Sequence, residues 1–400
     1  MKLKDSPLAW VSFAMIVGVM GTALISPLYG LYREAWNLRP SDVSLVYAIY
    51  MGGALCGLLF FGRLSDSAGF RTVMQWGLGL VFVGTAITLA AWNLASLSIG
   101  RFLVGIASTM VATSSMVGFS ALTEPARMQR VSVISGFLMA FGFGLGPLVG
   151  GIIAQWAPYP LRTTFVPTLV LVVLGLVALR RLQLPASALP EAGRGLRWRD
   201  AMPRLTWPER ASSGAFVLTS SLPFLAFGVF GLYASMSPLF LDKLVPWHGP
   251  AVAGTAIAAI LMLSACVQAS ADRIPTRWCG AGGLLCLAVS NALLMVNLVA
   301  GSGTLFAIGV LFTAVGHALS MLAGMRMVHR IATPGNRSGL LSTYLLIGYI
   351  GSMAPMMAMG WIADHFGLPA AVTAFCAVVI VAASVVAWLF QRHPRMQPQP

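Results

Sequence analysis

The sequence predicts an all-α membrane protein whose twelve transmembrane helices form two pseudo-symmetric six-helix bundles. Of its 400 residues, 58% are hydrophobic and only 9% are charged, whereas a soluble globular chain has roughly 25% charged residues. The apolar runs are continuous and about 20 residues long, which is the length that a helix needs to cross a bilayer. A transmembrane β-barrel is excluded because its strands would alternate apolar and polar residues.

Twelve apolar runs separated by short polar turns define the predicted spans. The stretch 278–325 carries no charge and is too long for one crossing, so we divide it at the turn signal Gly301-Ser302-Gly303. The predicted spans are 8–30, 43–62, 73–92, 96–119, 131–154, 163–181, 212–240, 250–271, 278–299, 304–327, 339–362 and 369–391.

The positions of Lys and Arg predict the orientation. With the N-terminus inside, 20 of the 25 Lys and Arg residues fall in inner segments and four in outer ones, as the positive-inside rule requires. We therefore expect a multi-pass protein of a bacterial inner (plasma) membrane with both termini cytoplasmic. The same distribution explains the net charge of +14 without a nucleic-acid partner. Residues 1–7 are too short to be a cleaved signal, so the first span is expected to be retained.

The two bundles are predicted as 1–181 and 212–400, joined by a cytoplasmic linker. Residues 182–211 are the one long polar connection, rich in Pro and Arg and without a hydrophobic period. The second half repeats features of the first at a nearly constant offset. Pro147 in span five corresponds to Pro355 in span eleven, 208 positions later. Such repetition is typical of duplicated membrane-protein halves.

The turn between spans two and three carries the first specific motif. It reads Gly62-Arg63-Leu64-Ser65-Asp66-Ser67-Ala68-Gly69-Phe70-Arg71, and G-x-L-x-D-x-x-G-x-R resembles the corresponding loop of the major facilitator superfamily of 12-span secondary transporters. Ser67 and Phe70 depart from the family, where both positions are often basic. The resemblance implies a conformational latch on the cytoplasmic side. Its expected members, including the degenerate second copy at offset 206, are Gly62, Asp66, Gly69, Arg71, Glu124, Asp272 and Arg277.

Two expectations follow for this latch. A helix N-terminus stabilises an anion, so Asp66 is expected at the N-terminal end of span eleven when the protein is open outward. Arg71 is expected to reach Glu124 at the end of span four, although Glu124 as a plain solvated charge stays open.

Span five contains a second motif, Gly142-x-x-x-Gly146-Pro147-x-x-Gly150-Gly151. Glycine at every fourth position makes a groove that lets another helix approach closely, and proline bends the helix. The motif resembles one that is characteristic of exporters (antiporters) in the superfamily, except that Val133 replaces a customary glycine. We expect the small residues of span eight to fill this groove.

Span four reads Leu97-x-x-x-Arg101-x-x-x-Gly105, which resembles a family motif whose arginine faces the central cavity. A charge within a span is costly unless it is paired or hydrated, and snorkelling of Arg101 to the outer surface stays open. Near the middle of span ten, His317 is a candidate for proton coupling with Arg101, because imidazole titrates near neutral pH. A structural, hydrogen-bonded histidine is the alternative.

The resemblance implies a central substrate site made by spans one, four, seven and ten. Polar and aromatic residues on helical faces supply candidates for it, although a structural tyrosine is an equally good interpretation in span two. The candidate cavity residues are Thr22, Ser26, Tyr29, Tyr47, Tyr50, Arg101, Ser108, Tyr233, His317, Ser320 and Tyr349.

The function implied is secondary active transport of a small molecule by alternating access, with export coupled to protons. None of the eleven acids lies deep in a span, so a carrier of an organic anion or a sugar is the alternative. A membrane enzyme would need paired carboxylates or a Ser/His/Asp set within the spans, and none is present. No phosphate-binding G-x-x-x-x-G-K-[ST] or C-x-x-C pair indicates ATP, a cofactor or a metal. We expect a monomer in the lipid bilayer.

Overall fold

The computed structural model describes residues 7–182, 184, 202–203, 205–247, 249–333 and 335–396. Twelve helices among them are long and apolar enough to cross a membrane, and every regular element in these ranges is helical, which confirms the predicted fold class. Most of the predicted linker 182–211 lies outside the described residues. The spans α1 to α12 are Pro7–Trp36, Pro40–Phe61, Phe70–Leu89, Leu94–Ala121, Val133–Trp156, Pro160–Arg181, Arg210–Leu241, Pro250–Ser270, Thr276–Ala300, Gly303–Ile331, Arg337–Phe366 and Leu368–Arg392.

The first span is longer than predicted and is interrupted. Its α-helical geometry ends at Ala23, Ser26–Leu28 form a 3₁₀ turn, and the helix resumes over Tyr29–Trp36. Pro27 has no backbone N–H and so cannot continue the helical hydrogen-bond ladder. The break leaves carbonyl groups of the preceding turn without their usual helical partners.

Two other spans contain π-helical turns. One closes α2 at Gly57–Phe61, immediately before the motif loop, and the other lies within α7 at Leu232–Met236. Such turns are rare and occur frequently at functional sites. The second contains Tyr233, a predicted cavity residue.

Equivalent pairs of spans pack closely through glycine in both halves. In the α3–α4 pair, a Cβ on Gly84 would lie 2.9 Å from the carbonyl oxygen of Gly100. In the α9–α10 pair, a Cβ on Gly283 would lie 2.7 Å from the backbone nitrogen of Ser320. These approaches require glycine, and their equivalent rank agrees with the internal repeat seen in the sequence.

Contacts divide the chain into two compact units, Met1–Ile25 with Ile49–Pro203 and Ser26–Ala48 with Arg204–Pro400. The ends of α1 and α2 that the arginine distribution places outside therefore belong to the second unit, where they pack on α7 and α11. The division into bundles 1–181 and 212–400 stays a prediction about chain topology. "Inner" and "outer" below follow the predicted orientation.

Candidate functional site

Arg101 is a buried cation of the first unit. Its helix α4 begins with a capping box in which Asn93 and Ser96 satisfy each other's backbone N–H groups, and Arg101 follows two turns later. Only 3% of the side chain is exposed. Nη1 donates a hydrogen bond of 3.0 Å to the carbonyl oxygen of Thr22, in the last regular turn before the break in α1. This buried position argues against snorkelling of Arg101 to the outer surface. That Arg101 faces the central cavity stays a prediction.

The guanidinium also lies against an aromatic ring. Its Cζ is 4.2 Å from the ring centroid of Tyr50 in α2, a cation–π contact that stabilises a desolvated cation by roughly 2 kcal/mol. Glycine fixes this distance, because α2 and α4 approach each other backbone to backbone. A Cβ on Gly105 would lie 2.8 Å from the backbone nitrogen of Ala54.

Among the residues that the structure describes, Arg101 has no carboxylate partner. The salt bridges within the described ranges are Arg63–Asp66 and Arg127–Glu124, and neither reaches it. Its Nε is buried and has no hydrogen-bond partner among the described residues. A buried charge without a counter-ion is costly, so an anionic group that pairs with Arg101 would lower this cost.

His317 has the opposite surroundings. Its Nδ1 shares a 2.9 Å hydrogen bond with Ser264 Oγ of α8, and that hydroxyl also accepts from Gln268 at 3.3 Å. The imidazole stacks on Phe227 of α7 and lies tilted against Phe230 of the same helix, with ring centroids 6.0 Å apart in both cases. This is a satisfied helix–helix contact, and it favours the structural alternative. A role for His317 in proton coupling stays a prediction.

The remaining candidates in the first unit bond mainly to their own helices. The Thr22 hydroxyl donates to the carbonyl of Val19, and the Ser108 hydroxyl donates to that of Gly105. Both side chains are buried. Their hydroxyl groups are therefore occupied and add little to a polar site in this state.

In the second unit the structure joins several candidates through aromatic and hydroxyl contacts. Tyr47 shares a buried 2.7 Å hydrogen bond with Ser352 of α11, which favours its structural interpretation. Tyr349 packs edge-on against Phe227, beside His317. The other candidates of this unit are buried: Ser26, Tyr29, Tyr233 and Ser320.

The motif loop is built around a glycine that no other residue replaces easily. Gly69 has φ +79°, a conformation that L residues rarely adopt. Asp66 lies in a short helix, Leu64–Ala68, exposed and 3.9 Å from Arg63. A Cβ on Gly62 would lie 2.6 Å from the carbonyl oxygen of Leu58, so the loop leaves α2 without space for a side chain.

Arg71 and Glu124 each contact another residue rather than each other. Arg71 donates to the backbone carbonyl of Arg180 at the end of α6, and Glu124 lies 4.0 Å from Arg127. The expected pairing of Arg71 with Glu124 is therefore wrong in the described structure, because the Arg71 guanidinium is bound to the end of α6 and Glu124 lies beside Arg127. The position of Asp66 in the outward-open state stays a prediction.

The second copy of the loop is held by a residue that the sequence did not single out. Arg326, near the inner end of α10, donates to the carbonyls of Ile274 at 2.8 Å and Ala271 at 3.4 Å. Arg277 places its Cζ 5.2 Å from the ring of Trp278. The side chain of Asp272 lies outside the described part of the structure.

In the structure, α1 occupies the glycine groove of α5. The prediction that span eight fills this groove was therefore wrong. A Cβ on Gly146 would overlap the carbonyl oxygen of Met20, and one on Gly150 would overlap that of Leu24. A Cβ on Gly142 would meet Val19 and Ile16. Pro147 and Gly151 lie within the same helix. The glycine spacing predicts a groove but contains no information about which helix enters it.

The end of the linker makes a further unpredicted contact. Thr206 donates its backbone N–H to the Thr343 hydroxyl at 3.2 Å, and that hydroxyl donates back to the Thr206 carbonyl at 2.9 Å. A Cβ on Gly339 would lie 2.6 Å from Thr206 Oγ1. The chain before α7 is therefore tied to the inner end of α11. A lone threonine in a polar linker gives no sequence signal for such a contact.

Comparison with known proteins agrees with this fold. The profile of the Major Facilitator Superfamily matches residues 11–271 and 251–400. The 4-hydroxybenzoate transporter PcaK of Acinetobacter baylyi is 30% identical over 163 residues, 38% of this chain and 35% of that protein. The multidrug efflux protein YfmO of Bacillus subtilis is 25% identical over 232 residues, 58% of this chain and 55% of that protein. The alignments thus cover about a third to a half of these relatives.

Solved structures resemble the chain over nearly its whole length. An inward-facing, occupied bacterial homologue of the human lysosomal transporter Spinster has a TM-score of 0.79 at 15% identity, covering 98% of both chains. The human organic anion transporter MFSD10 (TETRAN) has a TM-score of 0.64 at 17% identity, covering 96% of this chain and 100% of that one. At such identities these likenesses show the fold alone. Because the family profile matches both halves and the fold agrees with it, the chain belongs to the Major Facilitator Superfamily.

Proposed function

We propose that the protein is a secondary transporter that moves a small organic molecule across a bacterial inner membrane by alternating access. Export in exchange for protons is the direction that we propose. The span-five motif supports that direction, as do YfmO, which is named a multidrug efflux protein, and MdtL of Klebsiella pneumoniae, which is named a multidrug resistance protein.

The observation that carries the substrate class is the uncompensated charge of Arg101. The guanidinium is buried, and its Nε has no partner among the described residues. It attracts a carboxylate, because a charge-assisted hydrogen bond is about twice as strong as a neutral one, and it repels a cation by its like charge. Tyr50 beside it supplies an aromatic face. We therefore propose organic anions as substrates, and the relative named for 4-hydroxybenzoate suggests aromatic carboxylates as first probes.

The test compares an acid with its neutral analogue. In proteoliposomes of the full chain, Arg101→Ala is expected to weaken the apparent affinity for 4-hydroxybenzoate at least tenfold and that for 4-hydroxybenzamide much less, since hydrogen bonds to charged groups contribute about 1.5–3 kcal/mol. Arg162→Ala, in an outer turn, is the matched control and should change neither. Equal losses for both probes would show that Arg101 has no anion-binding role.

Proton coupling is tested separately with an imposed pH gradient. A proton exchanger accumulates substrate in the acidified compartment, because protons that leave this compartment are exchanged for substrate that enters it. It loses this ability when an ionophore dissipates the gradient. Equilibration without accumulation would support the second candidate, a facilitated carrier of organic anions, which the absence of acids deep in the spans favours.

A further inference from the structure

The outer ends of α2 and α11 meet along a continuous line of contacts within the second unit. At the outermost position, the backbone N–H of Ser41 donates to Asp364 Oδ1 at 3.1 Å. One turn further in, a Cβ on Gly360 would lie 2.9 Å from the Cβ of Ser44 and from the Cα of Ser41. The glycine is needed because the two helices touch at this point.

A third contact lies deeper. Tyr47 and Ser352 share the buried 2.7 Å hydrogen bond described above, and Gly231 of α7 leaves the space beside both hydroxyl groups. On α2 the participating positions are three apart and on α11 they are four or eight apart, so each set lies on one helical face. We call these three contacts the outer seam.

Asp364 contributes a charge to this seam, and its oxygen points at the start of a helix. Span α2 begins at Pro40, and the first N–H groups of a helix have no partner within it and carry partial positive charge. Asp42 satisfies the preceding N–H, that of Arg39, at 2.9 Å. The Ser41 N–H is satisfied from a different helix, 323 residues away in sequence.

The contact borders a polar cavity of about 720 Å³. Arg33, Arg39 and His365 share its lining with Asp364. Within the described ranges, no salt bridge joins Asp364 to either arginine. The Asp364 carboxylate therefore interacts with the N-terminal end of α2 rather than with an arginine. This contact is exposed to solvent, so it can break and re-form.

We propose that Asp364 is an outer latch, which holds the outer seam closed by placing its carboxylate on the N-terminal end of α2. The latch opens when this contact breaks and the α2 and α11 ends separate. The proposal rests on alternating access, but its test measures accessibility rather than transport, so failure of the latch and failure of the transport function are distinguishable.

The test uses a cysteine reporter behind the seam. Ala48, 6% exposed and next to Tyr47, is replaced by Cys in the full chain, and intact cells are treated with a membrane-impermeant maleimide. The chain with only its five native cysteines gives the background. Asp364→Asn, which removes the charge at constant size, is expected to raise labelling of the reporter at least threefold.

Two variants are matched controls. Ser41→Ala keeps the backbone N–H that makes the contact and should leave labelling unchanged. Asp42→Asn removes a carboxylate that lies at the same helix end but is not part of the outer seam, and it should also leave labelling unchanged. The proposal is overturned if Asp364→Asn is labelled no more than the Ala48→Cys chain without it. It is also overturned if Ser41→Ala or Asp42→Asn raises labelling to the same level.

A second variant keeps the proposal testable if Asp364→Asn does not accumulate in the membrane. Gly360→Ala inserts a methyl group against Ser44 and should raise labelling with Asp364 intact. Adding Ser44→Gly removes two of the three close atoms and should restore part of the protection, since the Cα of Ser41, 2.9 Å from the added Cβ, stays in place. If Gly360→Ala labels like the parent, the seam is not a closed contact and the latch is refuted.

Discussion

Arg101 and His317 show how surroundings, rather than residue type, decide the use of a polar side chain within a span. Arg101 has one carbonyl acceptor, one aromatic face and a buried Nε without a partner among the described residues. His317 has a hydroxyl partner and two neighbouring phenylalanine rings, one stacked and one tilted. The first keeps a buried donor that the described residues do not satisfy, whereas the second contributes to packing.

We predict that His317→Ala mainly lowers stability. It removes a buried hydrogen bond, worth about 1 kcal/mol, and leaves a cavity beside two phenylalanines, which adds a cost of similar size or larger. The midpoint of thermal unfolding in detergent should fall, while any dependence of transport on a pH gradient should persist. Loss of that dependence with unchanged stability would instead assign proton coupling to His317.

At the scale of elements, the packing of α1 into the groove of α5 is the contact that glycine spacing made possible. The carbonyl oxygens of Met20 and Leu24 lie where side chains of α5 would otherwise be. The same stretch of α1 ends its regular helix at Ala23 and presents the Thr22 carbonyl to Arg101. The α5 groove therefore helps to position Arg101 through α1, although the two motifs lie far apart in the sequence.

We predict that Gly146→Ala destabilises the protein by roughly 1–3 kcal/mol, the usual cost of overpacking a close contact. Gly136→Ala is the matched control on the same helix, since nothing lies within 4 Å of its added Cβ. That variant should be neutral or more stable by about 0.5–1 kcal/mol, because alanine favours a helix. Thermal unfolding of both in one detergent compares them, and equal midpoints would exclude the close approach of α1 and α5.

At the scale of the whole molecule, the compact units do not follow the chain's division into six and six spans. The outer ends of α1 and α2 belong to the second unit, where Tyr47 and Ser41 bond to α11. Packing at the outer ends thus groups residues 26–48 with the second half of the chain. The boundary between the units falls within two helices and not at a loop.

We predict the membrane orientation from the arginine distribution, and fusions test it. Alkaline phosphatase, which folds only outside the cytoplasm, should be active when fused after Tyr159 and inactive after Arg181, because α6 lies between these points. A fluorescent protein that folds in the cytoplasm should give the reverse pattern. Activity of the phosphatase at Arg181 would invert the topology and place the motif loop outside.

The sequence by itself determined the number of spans, the predicted orientation and the family. These features depend on composition, charge distribution and short motifs, which are local along the chain and are dictated by the cost of placing polar groups in lipid. Gly69, for instance, is recognisable because its left-handed backbone is a local requirement.

Only the tertiary structure decided which partners these residues meet. It placed α1 rather than α8 on the span-five glycines, Ser264 on His317, and the Ser41 N–H on Asp364. These contacts join residues 53 to 323 positions apart, and hydrophobic periodicity is the same whichever helix lies opposite. The physical reason is that a helical face specifies burial, whereas the identity of the neighbouring helix depends on how all the faces pack together.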